Sequence, residues 1–141
     1  MEPKGTLMLR TMSMPADANP NGDIFGGWLM SQMDTAGAIM AYEMCRGKVV
    51  TVAVDQITFK NPVNVGDVVC CYCSCIHIGH TSIKIQLELW ARKNTSERIT
   101  RVKVTEAGFT YVAVDNNGQK RPLPQYLIDN KEEILARGYL E

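Results

Sequence analysis

This 141-residue chain lacks net charge, with 15 basic side chains matched by 15 acidic ones. It offers no basic surface for a polyanion, so nucleic-acid binding is not expected. Histidine is scarce: only His77 and His80 occur. Neither has a metal-like partner pattern, and no metal is expected. The cysteines Cys45, Cys70, Cys71, Cys73 and Cys75 form neither a disulfide framework nor a zinc spacing. Four of them crowd one predicted strand, with Cys71, Cys73 and Cys75 on one face and Cys70 on the other. They read as small buried thiols in a reducing cytoplasm. Met1–Arg10 is too short and mixed for a secretory leader, which fits that location. No internal repeat or low-complexity segment is present. The length suits one domain with a single core.

What is there is one long apolar stretch, Gly26 to Ala41, read as a helix. From Ile24 to Tyr42 the only side chain charged near neutral pH is Asp34. Ser31, Gln32, Asp34 and Thr35 argue against a membrane span, because a carboxylate in hydrocarbon costs several kcal/mol. A helix apolar all round is expected to be buried, here wrapped by a sheet. Asp34 would share a face with Met30, Gly37, Ala38 and Ala41, none of them cationic. A buried carboxylate is costly unless paired or used. Two readings stay open: an acid bridged to a distant cation or sitting at a wet edge, and an acid that does chemistry. Gly26 and Gly27 fall where the helix begins. There, free backbone N–H groups and the helix dipole can hold an anion or a developing oxyanion. A plain cap or packing contact is the alternative. Asp34 lies about 10 Å along the axis from Gly27 at 1.5 Å per residue. One carbonyl cannot easily touch both, so a shared site would draw one group from a second copy of the chain.

In order, Gly5–Ser13 reads as a strand and Met14–Asp23 as a turn-rich loop. The helix follows, ending near Arg46-Gly47 with a C-terminal glycine. Lys48–Lys60 reads as a strand that is apolar on both faces and therefore central. Asn61–Asp67 is a turn, and Val68–Ile78 and Thr81–Arg92 are strands broken by Gly79-His80. In the latter, Ile83, Ile85, Leu87 and Leu89 face one way, while Lys84, Gln86, Glu88 and Trp90 face the other. Lys93–Arg98 is a loop and Arg101–Asp115 the last strand, closed by Asn116-Asn117-Gly118. Gln119–Pro124 is irregular, and Gln125–Arg137 is a short surface helix stopped by Gly138. Short loops imply antiparallel neighbours. The expected fold is α+β: an antiparallel five-stranded sheet curled around one long central helix, a single domain over 1–141 with 119–141 as a C-terminal extension. Its open edge would be covered by dimerisation.

At Asn21–Asp34 (NGDIFGGWLMSQMD) the sequence resembles the hotdog acyl-CoA thioesterases of the YciA and brain acyl-CoA hydrolase type. The resemblance continues through Val50–Asp55, Pro62–Asp67, Gly79–Ser82 and Phe109–Asp115, covering roughly 6 to 122. It implies hydrolysis of acyl-CoA at dimer interfaces, in dimers that assemble to hexamers. Coenzyme A would be part of the substrate and a product, with no other cofactor. By position, Asp34 would be general base or nucleophile. Gly27, with Gly26 beside it, would polarise the thioester carbonyl, and Asp23 would orient water or the helix entry. Val54, Asp55, Gln56, Gly79, Thr81 and Ser82 would shape the substrate groove, or serve as ordinary strand and turn. Arg92, Lys93, Lys120 and Arg121 are candidates to meet the CoA phosphates, or are solvated loop charge. Two other readings compete. A hotdog dehydratase would need a histidine near the central helix. A non-catalytic acyl-CoA sensor would have no use for an unpaired acid there.

Overall fold

The structure, a computed structural model, describes residues 1–139. Strands β1 (Thr6–Met12), β2 (Val49–Val54), β3 (Val68–Ile78), β4 (Ser82–Asn94) and β5 (Ile99–Ala113) form one sheet. Their spatial order is β1-β3-β4-β5-β2, with every neighbouring pair antiparallel. The long helix α1 (Gly26–Cys45) packs across it. Two short helices follow, α2 (Gln125–Asp129) and α3 (Lys131–Arg137). This is the hotdog arrangement expected from the sequence.

The core lies between α1 and the inner face of the sheet. Leu29, Met33, Ala36, Met40, Ala41 and Met44 meet Ile83, Ile85, Leu87 and Leu89 of β4, as the alternation in that strand predicts. Cys71, Cys73 and Cys75 join the same core, and all the cysteines are free and buried. Burial pushes Cys45 and Cys75 up to about 11 and Cys71 up to about 12. Thiols held neutral in this way are poor nucleophiles and poor metal ligands.

Several expectations are corrected. The helix is not enclosed all round: Met30 and Ile39 are 37% exposed and Tyr42 57%. The sheet covers only one flank of a helix that the sequence makes apolar on both. The strand expected over Lys48–Lys60 stops at Val54 and is an edge strand rather than a central one. It pairs only with β5, and Val50, Val52 and Val54 stay open. An apolar pattern on both faces records what a strand is made of, not what lies beside it. Glu88 and Trp90 are not on a solvated face but buried. The Trp90 indole donates to Glu88 at 2.9 Å, the Lys4 amide donates to the same oxygen, and Lys103 lies 3.6 Å from the other. The expected Gln125–Arg137 helix is split at Asn130, and it is no surface element, since Leu127 and Ile134 are fully buried. The left-handed residue ending α1 is Arg46, not Gly47; its guanidinium sits 4.7 Å from the Tyr126 ring.

Candidate active site

Asp34 sits in the middle of α1, partly exposed. Among the described residues it makes no salt bridge. Two hydroxyls reach it instead. Thr51 Oγ1 donates to Asp34 Oδ1 at 2.7 Å. The Tyr111 hydroxyl lies 3.1 Å from the same Oδ1 and 3.0 Å from the Asp34 carbonyl oxygen. Thr51 and Tyr111 are cross-strand partners on β2 and β5, which is why both arrive at one residue. A register shift follows at Thr51/Ala53, a kind of irregularity often found beside functional sites.

Tyr111 is fully buried and stacked on Phe109, with ring centroids 6.5 Å apart. Burial pushes its phenol above the ordinary tyrosine range, and the charge of Asp34 adds to that push, so the hydroxyl keeps its proton. Gly37, one turn beyond Asp34, makes the approach possible. A Cβ there would fall 2.9 Å from Tyr111 Cζ and 3.0 Å from Cε2, closer than real Cβ contacts. Neither Thr51 nor Tyr111 stood out in the sequence. The available signals were a hydroxyl within the apolar run of β2, and an aromatic sharing a strand face with Phe109 opposite a helix glycine.

Asp34 opens onto a groove of about 490 Å³ lined by Asp34, Thr35, Ala38, Ile39, Tyr42 and Glu43. All of these belong to α1, so a single chain supplies one wall. At the N-terminus of α1, Phe25 is the cap residue and offers no side-chain hydrogen bond. Among the described residues no acceptor meets the Gly26 or Gly27 amide. A Cβ on Gly27 would meet nothing within 4 Å, so no described neighbour crowds the helix surface at that position. Seven residues at about 100° each bring Gly27 and Asp34 back to nearly the same face of the helix, about 10 Å apart.

The other sequence candidates are dispersed. Asp23 accepts from Asn64 Nδ2 at 3.1 Å, and its amide donates to Asn19, so it fastens the loop before α1. Val54 ends the edge strand, and Gln56 is exposed just beyond it. Asp55 accepts from the Gly108 amide at 2.8 Å and pairs with Lys84 at 3.4 Å. Gly79, Thr81 and Ser82 form the β3–β4 turn: the Gly79 amide donates to Ser82, and the Thr81 carbonyl accepts from Ala113. His77 precedes that turn and His80 lies within it, both exposed.

Two of the four phosphate candidates are committed elsewhere. Lys93 pairs with Asp67 at 2.6 Å and donates to Asn64, bracing the turn before β3. Arg121 donates to the carbonyls of Val114, Cys45 and Lys48, satisfying the C-terminal end of α1. Arg92 aligns with Arg101 across β4 and β5, and its Nε is buried without a partner among the described residues. Lys120 is exposed. Among the described residues no group of three or more His, Cys, Asp or Glu could hold a metal ion, and no helix is long and apolar enough to cross a membrane.

Residues 21–97 match the sequence profile of the thioesterase superfamily, a span that includes the glycine pair, Asp34 and Thr51. The chain is 62% identical over 123 residues to the acyl-CoA thioester hydrolase YciA of Salmonella typhimurium, covering 86% of this chain and 92% of that protein. Among solved structures it is similar to a hexameric broad specificity acyl-coenzyme A thioesterase, at 55% identity and a TM-score of 0.87, over 96% of this chain and 93% of that one. It is also similar to a hexameric hotdog fold thioesterase of Campylobacter jejuni, at 41% identity and a TM-score of 0.84, over 89% of this chain and 95% of that one. Sequence and fold agree that the chain belongs to the thioesterase superfamily, in its hotdog branch.

Proposed function

We propose that this protein hydrolyses acyl-CoA thioesters to free coenzyme A and a carboxylic acid. The observation that carries the reading is Asp34: a carboxylate with no cation on it among the described residues, held by hydroxyls, facing an apolar groove. A structural acid in such a place would be expected to have a charged partner. The names carried by its relatives point to the same substrate class.

Asp34 acts in one of two ways. As general base it takes a proton from water, hydroxide adds to the thioester carbon, and the C–S bond breaks to release the CoA thiolate. As nucleophile it adds to that carbon itself, expels the thiolate, and the resulting anhydride is hydrolysed. In both, negative charge builds on the carbonyl oxygen. In this reading the Gly27 amide, with Gly26 beside it, would receive that charge; the lack of any acceptor on these amides among the described residues supports it.

The working unit is a dimer, in which a second copy supplies the missing wall of the groove and brings its Gly27 amide towards Asp34. The exposed apolar residues of α1 and β2 are the surface such a copy would cover. Assembly of dimers into hexamers follows the solved relatives. Lys120, the exposed cation left among the candidates, is assigned to the CoA phosphates.

The test is thiol release from a panel of acyl-CoA substrates by wild type and Asp34→Asn. Loss of about a hundredfold or more is expected in the variant. Equal rates would remove the mechanism.

A further inference from the structure

We infer that Thr51 and Tyr111 are positioning residues that hold the catalytic carboxylate by one oxygen and leave the other to react. This rests on the proposed hydrolase reading and adds the division of labour within Asp34. Both hydroxyls converge on Oδ1. Among the described residues Oδ2 receives no hydrogen bond, while Asp34 itself lines the groove. An aspartate on an open helix face turns about two side-chain torsions. Two donors from different strands fix both torsions, so the free oxygen keeps one direction towards the substrate.

The supporting shell is built for this. Tyr111 is buried and cannot swing away, since it stacks on Phe109, and its single hydroxyl proton is shared between the Asp34 carbonyl and Oδ1. Thr51 faces it across the β2–β5 ladder. Gly37 is the gap that admits the phenol to the helix. Were Tyr111 only a satisfied core phenol, the Asp34 carbonyl alone would meet its need, and Thr51 would have no reason to aim at the same carboxylate oxygen.

The test is steady-state kinetics on the full-length protein, with Tyr111→Phe, Thr51→Val and Thr51→Ser measured alone and with Asp34→Asn. Tyr111→Phe and Thr51→Val are each expected to lower kcat about tenfold with KM little changed, and together about a hundredfold. Thr51→Ser, which keeps the donor, should recover most of the loss. In the Asp34→Asn background neither removal should lower the residual rate further, because the group they position is gone. An undiminished kcat in the double variant overturns the inference, as does a full-sized further loss in the Asp34→Asn background. If Tyr111→Phe does not fold, Thr51→Val against Thr51→Ser decides alone, since Thr51 lies on an exposed edge strand. Asp34→Asn separates the two claims. If that variant is inactive while the hydroxyl variants are silent, positioning fails and the hydrolase stands. If it is fully active, the hydrolase mechanism fails first.

Discussion

Raising the pH should destabilise this protein through its cysteines. In the unfolded chain each thiol titrates near its ordinary value of 9.0; in the fold, burial holds Cys45 and Cys75 at about 11 and Cys71 at about 12. Cys73 is pushed higher still by the same cause. The folded state therefore binds more protons above pH 9, and stability must fall as pH rises. The contribution is fully present below the unfolded value and is lost as pH climbs through the folded ones. At pH 10 an unfolded thiol is about nine-tenths ionised and one held at about 11 about one-tenth, which costs about 1.4 kcal/mol per thiol. For Cys45, Cys71 and Cys75 together that is about 4 kcal/mol, against the roughly 5–15 kcal/mol that holds a domain of this size. The assay is urea unfolding at a series of pH values between 7 and 10. Lys103 and Tyr111, both also raised in the fold, add to the same loss, so Cys71→Ala is the control. Whatever its absolute stability, it should lose about 1 kcal/mol less than wild type between pH 9 and pH 10. An identical slope, or rapid reaction of folded Cys71 with a thiol reagent at pH 8, would refute the burial reasoning.

Other perturbations have equally definite outcomes. Gly37→Ala gains about 1 kcal/mol of helix propensity but forces a methyl into the Tyr111 ring, an overpacking worth about 1–3 kcal/mol. A modest drop in Tm with a larger drop in kcat is expected, and an unchanged kcat would show that Tyr111 has no bearing on Asp34. Gly27→Pro removes one amide from the first helical turn, where proline is tolerated; kcat should fall about 10²–10³-fold while folding survives. Arg121→Met removes a donor from the Cys45, Lys48 and Val114 carbonyls, of which Lys48 keeps the Val114 amide. Its signature should be a lower Tm, and a change confined to KM for acyl-CoA would return Arg121 to the phosphate site.

The alternation in β4, the turn residues around Gly79 and the long apolar helix made the elements legible, because side-chain periodicity is written along the chain. So were Asp34 and the glycine pair, since a single charge in an apolar run and two adjacent glycines at a helix start stand out without neighbours. The strand order was not legible. That β2 lies at the edge, with its valines open, depends on which strand reaches β5 first, and nothing within Val49–Val54 records it. Glu88 and Trp90 looked solvated because alternation says which side of the sheet a residue faces, not what else folds over that side. The cations divided in the same way. Lys93 and Arg121 were indistinguishable from Lys120 in sequence, and only the fold brought Asp67 to one and the end of α1 to the other. The sequence alone set one carboxylate, Asp34, apart in an otherwise apolar helix. The tertiary structure decided what grips it, because Thr51 and Tyr111 lie 60 residues apart and meet only through hydrogen bonding between β2 and β5.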